Sequence, residues 1–113
     1  MIIKKEDSVK HANSPECTVY EYPTEDKDIN VAFAEIRGRY PSSGYAMNEC
    51  VKEILFVKTG NGKAVIEDEE HVLNEGDMLY ILPGKKYFLE GTIDLIIPCT
   101  PAWHPSQHKH VTR

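Results

Sequence analysis

The sequence predicts an all-β fold, an antiparallel sandwich or jelly-roll barrel. Short runs of β-branched and aromatic residues recur along the chain. Gly, Pro, Asn and acidic turns separate them at close spacing, and no segment has the period or length of a good helix.

The 113 residues suffice for one domain with one core. Thirteen Lys and Arg against 18 Asp and Glu give a net charge of −5, which argues against a nucleic-acid backbone as main partner. The leading Met1 to Asp7 lacks the apolar stretch of a signal peptide, and no apolar run reaches membrane-spanning length. A cytoplasmic protein with no membrane partner is expected. Cys17, Cys50 and Cys99 are an odd set, expected to remain thiols.

Residues 1–16 are polar and aperiodic and read as an N-terminal arm, with a single domain over 17–113. Cys17 to Tyr22 alternates and is β-rich, giving a first strand closed by Pro23. Asn30 to Arg37 is the next, with Val31, Phe33 and Glu35 on one face and Ala32, Ala34 and Ile36 on the other. Lys52 to Lys58 follows, and Gly60-Asn61-Gly62 reads as a tight hairpin returning through Lys63 to Glu67. After the acidic turn at Asp68-Glu69-Glu70 come a short strand at His71 to Leu73 and a wholly apolar, buried strand at Met78 to Leu82. Pro83-Gly84 ends the latter, and Lys86 to Leu89, Ile93 to Cys99 and Pro101 to Trp103 complete the sheet.

Glu53 and Gly60, followed by Gly76-Asp77 and Pro83-Gly84, keep the spacing of two signature motifs. By these residues, the chain over roughly 30–103 resembles a small single-domain member of the cupin superfamily. The resemblance implies a double-stranded β-helix enclosing a ligand pocket, and a homodimer in which Cys17 to Tyr22 is the candidate for crossing to the partner. Glu53 matches the carboxylate ligand of metal-binding members. Their two histidines on the preceding strand fall here on Ala46 and Asn48, or in the shorter frame on Met47 and Glu49. The third histidine falls on Tyr87. With all three replaced, no cofactor is predicted; a divalent metal would have to use Asn48, Glu53 and Tyr87, with Cys50 or a tail histidine as a further ligand.

Residues two apart on a strand share a face, so Asn48 brings Cys50 inward where the strand is regular, and Cys99 shares a face with Ile93, Leu95 and Ile97. Asn48, Cys50, Cys99 and Trp103 are the expected ligand-binding residues, and Glu53 and Tyr87 the expected catalytic pair. Glu53 could instead be a satisfied structural carboxylate, and the cysteines small core residues. From Trp103 onward, His104, His108 and His110 crowd together, but Pro101 and Pro105 prevent a helix from aligning them. The tail from about 104 is expected to lie across the outside of the barrel. The expected function is binding of a small polar metabolite, with metal-independent acid-base chemistry of isomerase or epimerase type. A non-enzymatic sensor module and a metalloenzyme with an unusual ligand set are the alternatives.

Overall fold

The computed structural model describes all residues, 1–113. Its nine strands are β1 (Val9–Ser14), β2 (Cys17–Tyr22), β3 (Asn30–Tyr40), β4 (Tyr45–Asn48), β5 (Lys52–Ile66), β6 (Glu69–Asn74), β7 (Met78–Ile81), β8 (Lys86–Thr100) and β9 (His108–Val111). Only two short 3-10 turns, Lys5–Asp7 and Pro105–Gln107, interrupt the all-β pattern. No helix is long and apolar enough to cross a membrane.

The strands form one curled sheet in the order β1-β2-β3-β8-β4-β9, with β5 pairing β6, β7 and β8. All pairings are antiparallel. The long β5 and β8 pair from Lys52↔Thr100 to Ile66↔Tyr87 and form the spine of the barrel. Alternation then decides what fills it: Leu55 and Val57 of β5, Leu89, Ile93 and Leu95 of β8, and Ala34 and Ile36 of β3 point inward and are buried.

Several expected boundaries move, for physical reasons. The Gly60-Asn61-Gly62 hairpin does not form; β5 runs straight through it, opposite Gly91 to Ile93 of β8. The glycines serve a close approach, because a Cβ on Gly60 would lie 2.0 Å from the Thr92 carbonyl oxygen and one on Gly62 would lie 2.3 Å from that of Glu90. For the same reason, Lys86 to Leu89 and Ile93 to Cys99 are one strand rather than two. The actual hairpin is the next turn, where Glu67 and Asp68 adopt φ of 48° and 68° between Ile66 and its partner Glu69, as a type I′ turn requires.

Residues 1–16, expected as an irregular arm, contain β1, which pairs with β2. Because β2 is paired on both edges within its own chain, it has no edge to lend to a partner. The strand at Met78 to Leu82 is half-buried rather than buried, since Met78 and Tyr80 face outward at 56% and 49% exposure. Pro101 to Trp103 forms no strand. The tail is the largest departure: β9 pairs with β4 and closes that edge of the barrel instead of lying over its outside.

Candidate functional site

The inward alternation of β5 that buries Leu55 and Val57 also carries Glu53 into the barrel, where it is 8% exposed. On β8, Tyr87 and Cys99 point the same way and are buried. These three, with Trp103, line a cavity of about 80 Å³ whose walls are mostly hydrophobic. The volume accommodates a few water-sized groups, as the closed end of a small-molecule site would.

Behind Glu53 stands a buried polar chain. Asn48 Nδ2 donates to Glu53 Oε1 at 2.5 Å. Asn48 Oδ1 in turn accepts from Gln107 Nε2 at 3.0 Å and faces His108 Nδ1 at 2.8 Å. His108 Nε2 lies 3.1 Å from the Tyr40 hydroxyl. Gln107, 1% exposed, uses its Oε1 to accept from the backbone N–H groups of Cys50 and Val51. Asn48 thus uses its oxygen twice and its NH2 once, and the hydrogen bond to Glu53 goes to Oε1, leaving Oε2 to the cavity side.

Burial dominates the electrostatics. It pushes the Glu53 carboxyl up to about 7, against a smaller lowering by the Asn48 hydrogen bond. Burial also lifts Tyr87 well above the usual phenol range and Tyr40 to about 12, and in both cases the Glu53 charge adds to the rise. Desolvation lowers His108, which keeps it neutral. Cys99 is raised to about 11 by burial first and the Glu53 charge second. Its S–H donates to Asn30 Oδ1, which also accepts the Trp103 backbone N–H. A thiol so held is not a nucleophile at neutral pH.

The sequence-predicted residues are therefore distributed as follows. Glu53, Tyr87, Cys99 and Trp103 meet at the cavity. Asn48 lies one layer behind and touches Glu53 rather than the cavity. Cys50, expected to face inward beside Asn48, is exposed, because the chain bends at Glu49 and Cys50 and breaks the alternation there. Tyr40, His108, Gln107 and Asn30 were not anticipated as site residues. Tyr40 ends a strand longer than expected, and the other signal was the tail's own histidine cluster.

The donors fit a metal poorly. Asn48 presents its amide nitrogen, not its oxygen, to Glu53, and both His108 nitrogens are engaged. No three His, Cys, Asp or Glu side chains converge as a possible metal set.

Curled antiparallel sheet and inward carboxylate together define the class: the chain has the cupin fold, a small β-barrel around a pocket. PAC13, described as a nucleoside dehydratase, superposes with a TM-score of 0.89 at 16% identity, over 98% of this chain and 90% of that one. A variant of the Streptomyces PAC13 holding uridine matches equally well, with a TM-score of 0.89. KdgF from Halomonas matches at 0.73 and 16% identity, over 91% of this chain and 96% of that one. Salicylate 1,2-dioxygenase from Pseudoaminobacter salicylatoxidans matches at 0.67 and 18% identity, over 80% of this chain and 26% of that one. At these identities the likeness is one of fold. No protein-family model and no curated protein sequence matches the chain.

Proposed function

We propose that the barrel binds a small polar metabolite and moves a proton at carbon without a metal, with Glu53 as base and Tyr87 as acid or oxyanion donor. One observation carries this reading: a buried carboxylate, raised to about 7, shares a cavity with the Tyr87 phenol. A base titrating near neutrality has both the population and the strength for proton abstraction. Glu53 Oε2 is free to take the proton, while Asn48 holds Oε1. The Tyr87 hydroxyl then donates to the oxygen on which charge develops. Epimerisation, isomerisation and dehydration of a hydroxylated carbon skeleton share this first step. The nucleoside dehydratase among the structural neighbours supports a sugar-like substrate by analogy of fold.

The test is solvent deuterium exchange at carbon, followed by proton NMR across free sugars and nucleosides, for the wild type and Glu53→Gln. Exchange in the wild type that disappears in folded Glu53→Gln supports the reading. Saturable binding with no exchange would leave the barrel a sensor or binding module.

A homodimer would cover the outer face of the spine. Ile54 faces Tyr80, and Phe56 faces both Met78 and Ile96, in a contiguous apolar patch exposed by 36–56%. Such a patch, on the order of several hundred Å², matches one side of a protein interface. Sedimentation should give a dimer that Phe56→Lys dissociates; a monomeric wild type would refute it.

A further inference from the structure

We propose that the cavity is selective for uncharged, hydroxyl-bearing ligands and excludes their phosphorylated and carboxylated counterparts. This rests on the barrel being the ligand site, as argued above, and adds the chemical class of what enters it.

The inference comes from what lines the wall. No Lys or Arg is among the cavity-lining residues, whereas two carboxylates, Glu21 and Glu53, are. The only basic side chain there is His108, and its nitrogens are both committed. Asn48 Oδ1 can only accept, so Nδ1 carries the proton; Nε2 accepts from Tyr40 and the ring is uncharged. Strand alternation puts the cations outside. Lys52 and Lys58 flank the inward Glu53-Leu55-Val57 face on the opposite side of β5, and Arg37 is paired with Asp94 on the outer surface. The fold supplies no long-helix N-terminus that could serve as an anion receptor.

An anionic group entering this cavity would lose its hydration and gain no positive partner, while meeting the Glu53 charge. Hydroxyl groups suit the same wall. Glu53 Oε2 and Glu21 accept, the Tyr87 hydroxyl donates, and the hydrophobic walls with Trp103 cover the carbon skeleton. Glu21 sits toward the hairpin end, with His11 Nε2 3.8 Å away, so its charge is partly offset when His11 is protonated.

Trp103 is the only tryptophan and lines the cavity, so its fluorescence responds to what enters this site. At pH 8, above the value to which burial raises Glu53, that carboxyl is ionised. At constant ionic strength, iodide, caesium and acrylamide quenching would be compared in the wild type, Glu21→Gln and a Glu21→Gln/Glu53→Gln double variant, each checked for fold by circular dichroism. Iodide quenching should rise at least twofold in the double variant, caesium quenching should fall, and acrylamide quenching should stay constant. Iodide quenching that is unchanged between wild type and double variant would overturn the proposal.

Matched pairs then test the ligand class: uridine against uridine 5′-monophosphate, and glucose against glucose 6-phosphate and glucuronate, titrated against the same fluorescence. Neutral members should bind at least tenfold more tightly than their anions. Equal or tighter binding of an anion overturns the charge selectivity. A wholly silent panel counts instead against metabolite binding in the barrel, and the quenchers still decide the charge question.

Discussion

His108 Nδ1 lies 2.8 Å from Asn48 Oδ1, and this contact fixes the direction of every hydrogen bond behind Glu53. The Asn48 amide cannot turn over, because that would set its oxygen against the Glu53 carboxylate and its NH2 against the Gln107 and His108 donors. The proton on His108 is therefore on Nδ1, and Tyr40 donates to Nε2. All donors in the chain from Tyr40 through His108 and Asn48 point toward Glu53. The tail thereby aligns the proposed base without touching it.

Asn48→Asp replaces the donor facing Glu53 with a second carboxylate in the same buried position. Two carboxyls at hydrogen-bond distance cannot both ionise, so the pair should hold a proton to higher pH than Glu53 does alone. A carbon-13 NMR titration of the Glu side chains should show the Glu53 transition displaced upward by at least one pH unit. A transition that stays near 7 would mean that Asn48 does not govern Glu53 ionisation. Stability should fall by roughly 2–4 kcal/mol, because a second ionisable carboxyl is buried where a neutral amide stood.

Glu53 ionisation should also make the protein less stable as pH rises. Its folded value of about 7 stands above the ordinary value of 4.5. Between those values the folded state holds a proton that the unfolded state has released, so the slope of stability with pH is negative. The contribution is complete below the unfolded value and is lost by the time pH passes the folded one. It amounts to ~3 kcal/mol at most. Thermal unfolding from pH 5 to pH 8 should show this decline in the wild type and a flatter profile in Glu53→Gln. Identical slopes would assign the pH dependence elsewhere. Proton abstraction runs the other way, since the base works ionised and its rate should rise through the same interval.

The fold was legible because the signals that specify it are local. Alternation in Asn30 to Arg37 put Ala34 and Ile36 on one face, the one that is buried, and the Glu53 to Gly60 and Gly76 to Gly84 spacings carried the resemblance. Motif spacing pointed to Glu53 and Tyr87 and alternation to Cys99, and all three line the cavity with Trp103. What was not legible depends on pairing between distant segments. Gly60-Asn61-Gly62 has the composition of a hairpin, and only the carbonyls of Glu90 and Thr92 crossing over it explain the glycines. Gln107 and His108 look like tail residues until β9 docks on β4 and brings them to Asn48. Cys50 pointed inward only under regular alternation, which the bend at Glu49 and Cys50 breaks.

The glycines separate into two kinds that substitution can distinguish. Gly60 has φ +87° and would place a Cβ 2.0 Å from the Thr92 carbonyl oxygen, a backbone atom held in the β5–β8 ladder that cannot move aside. Gly84 has φ +81° but nothing within 4 Å of its Cβ position. Gly84→Ala should therefore cost only the left-handed backbone strain, about 1–2 kcal/mol. Gly60→Ala adds a clash that must separate the two spine strands, and its cost should exceed 3 kcal/mol, on the order of the largest single-site losses. Urea unfolding of the two variants checks this; equal losses would mean that the crossing at Thr92 is looser than described.

The three cysteines should differ sharply toward a thiol reagent. Cys50 is exposed at the bend before β5, whereas Cys17 and Cys99 are buried and raised to about 11. Reaction with Ellman's reagent proceeds through the thiolate and needs access, so both factors protect the buried pair. Native protein at pH 8 should titrate one thiol quickly, and denatured protein three. Cys50→Ser should remove the fast phase and leave the cavity untouched, because this side chain lies outside it. Two fast thiols in the native state would require Cys17 or Cys99, which both line the cavity, to be open to solvent through it, a wider pocket than the burial of the two side chains allows.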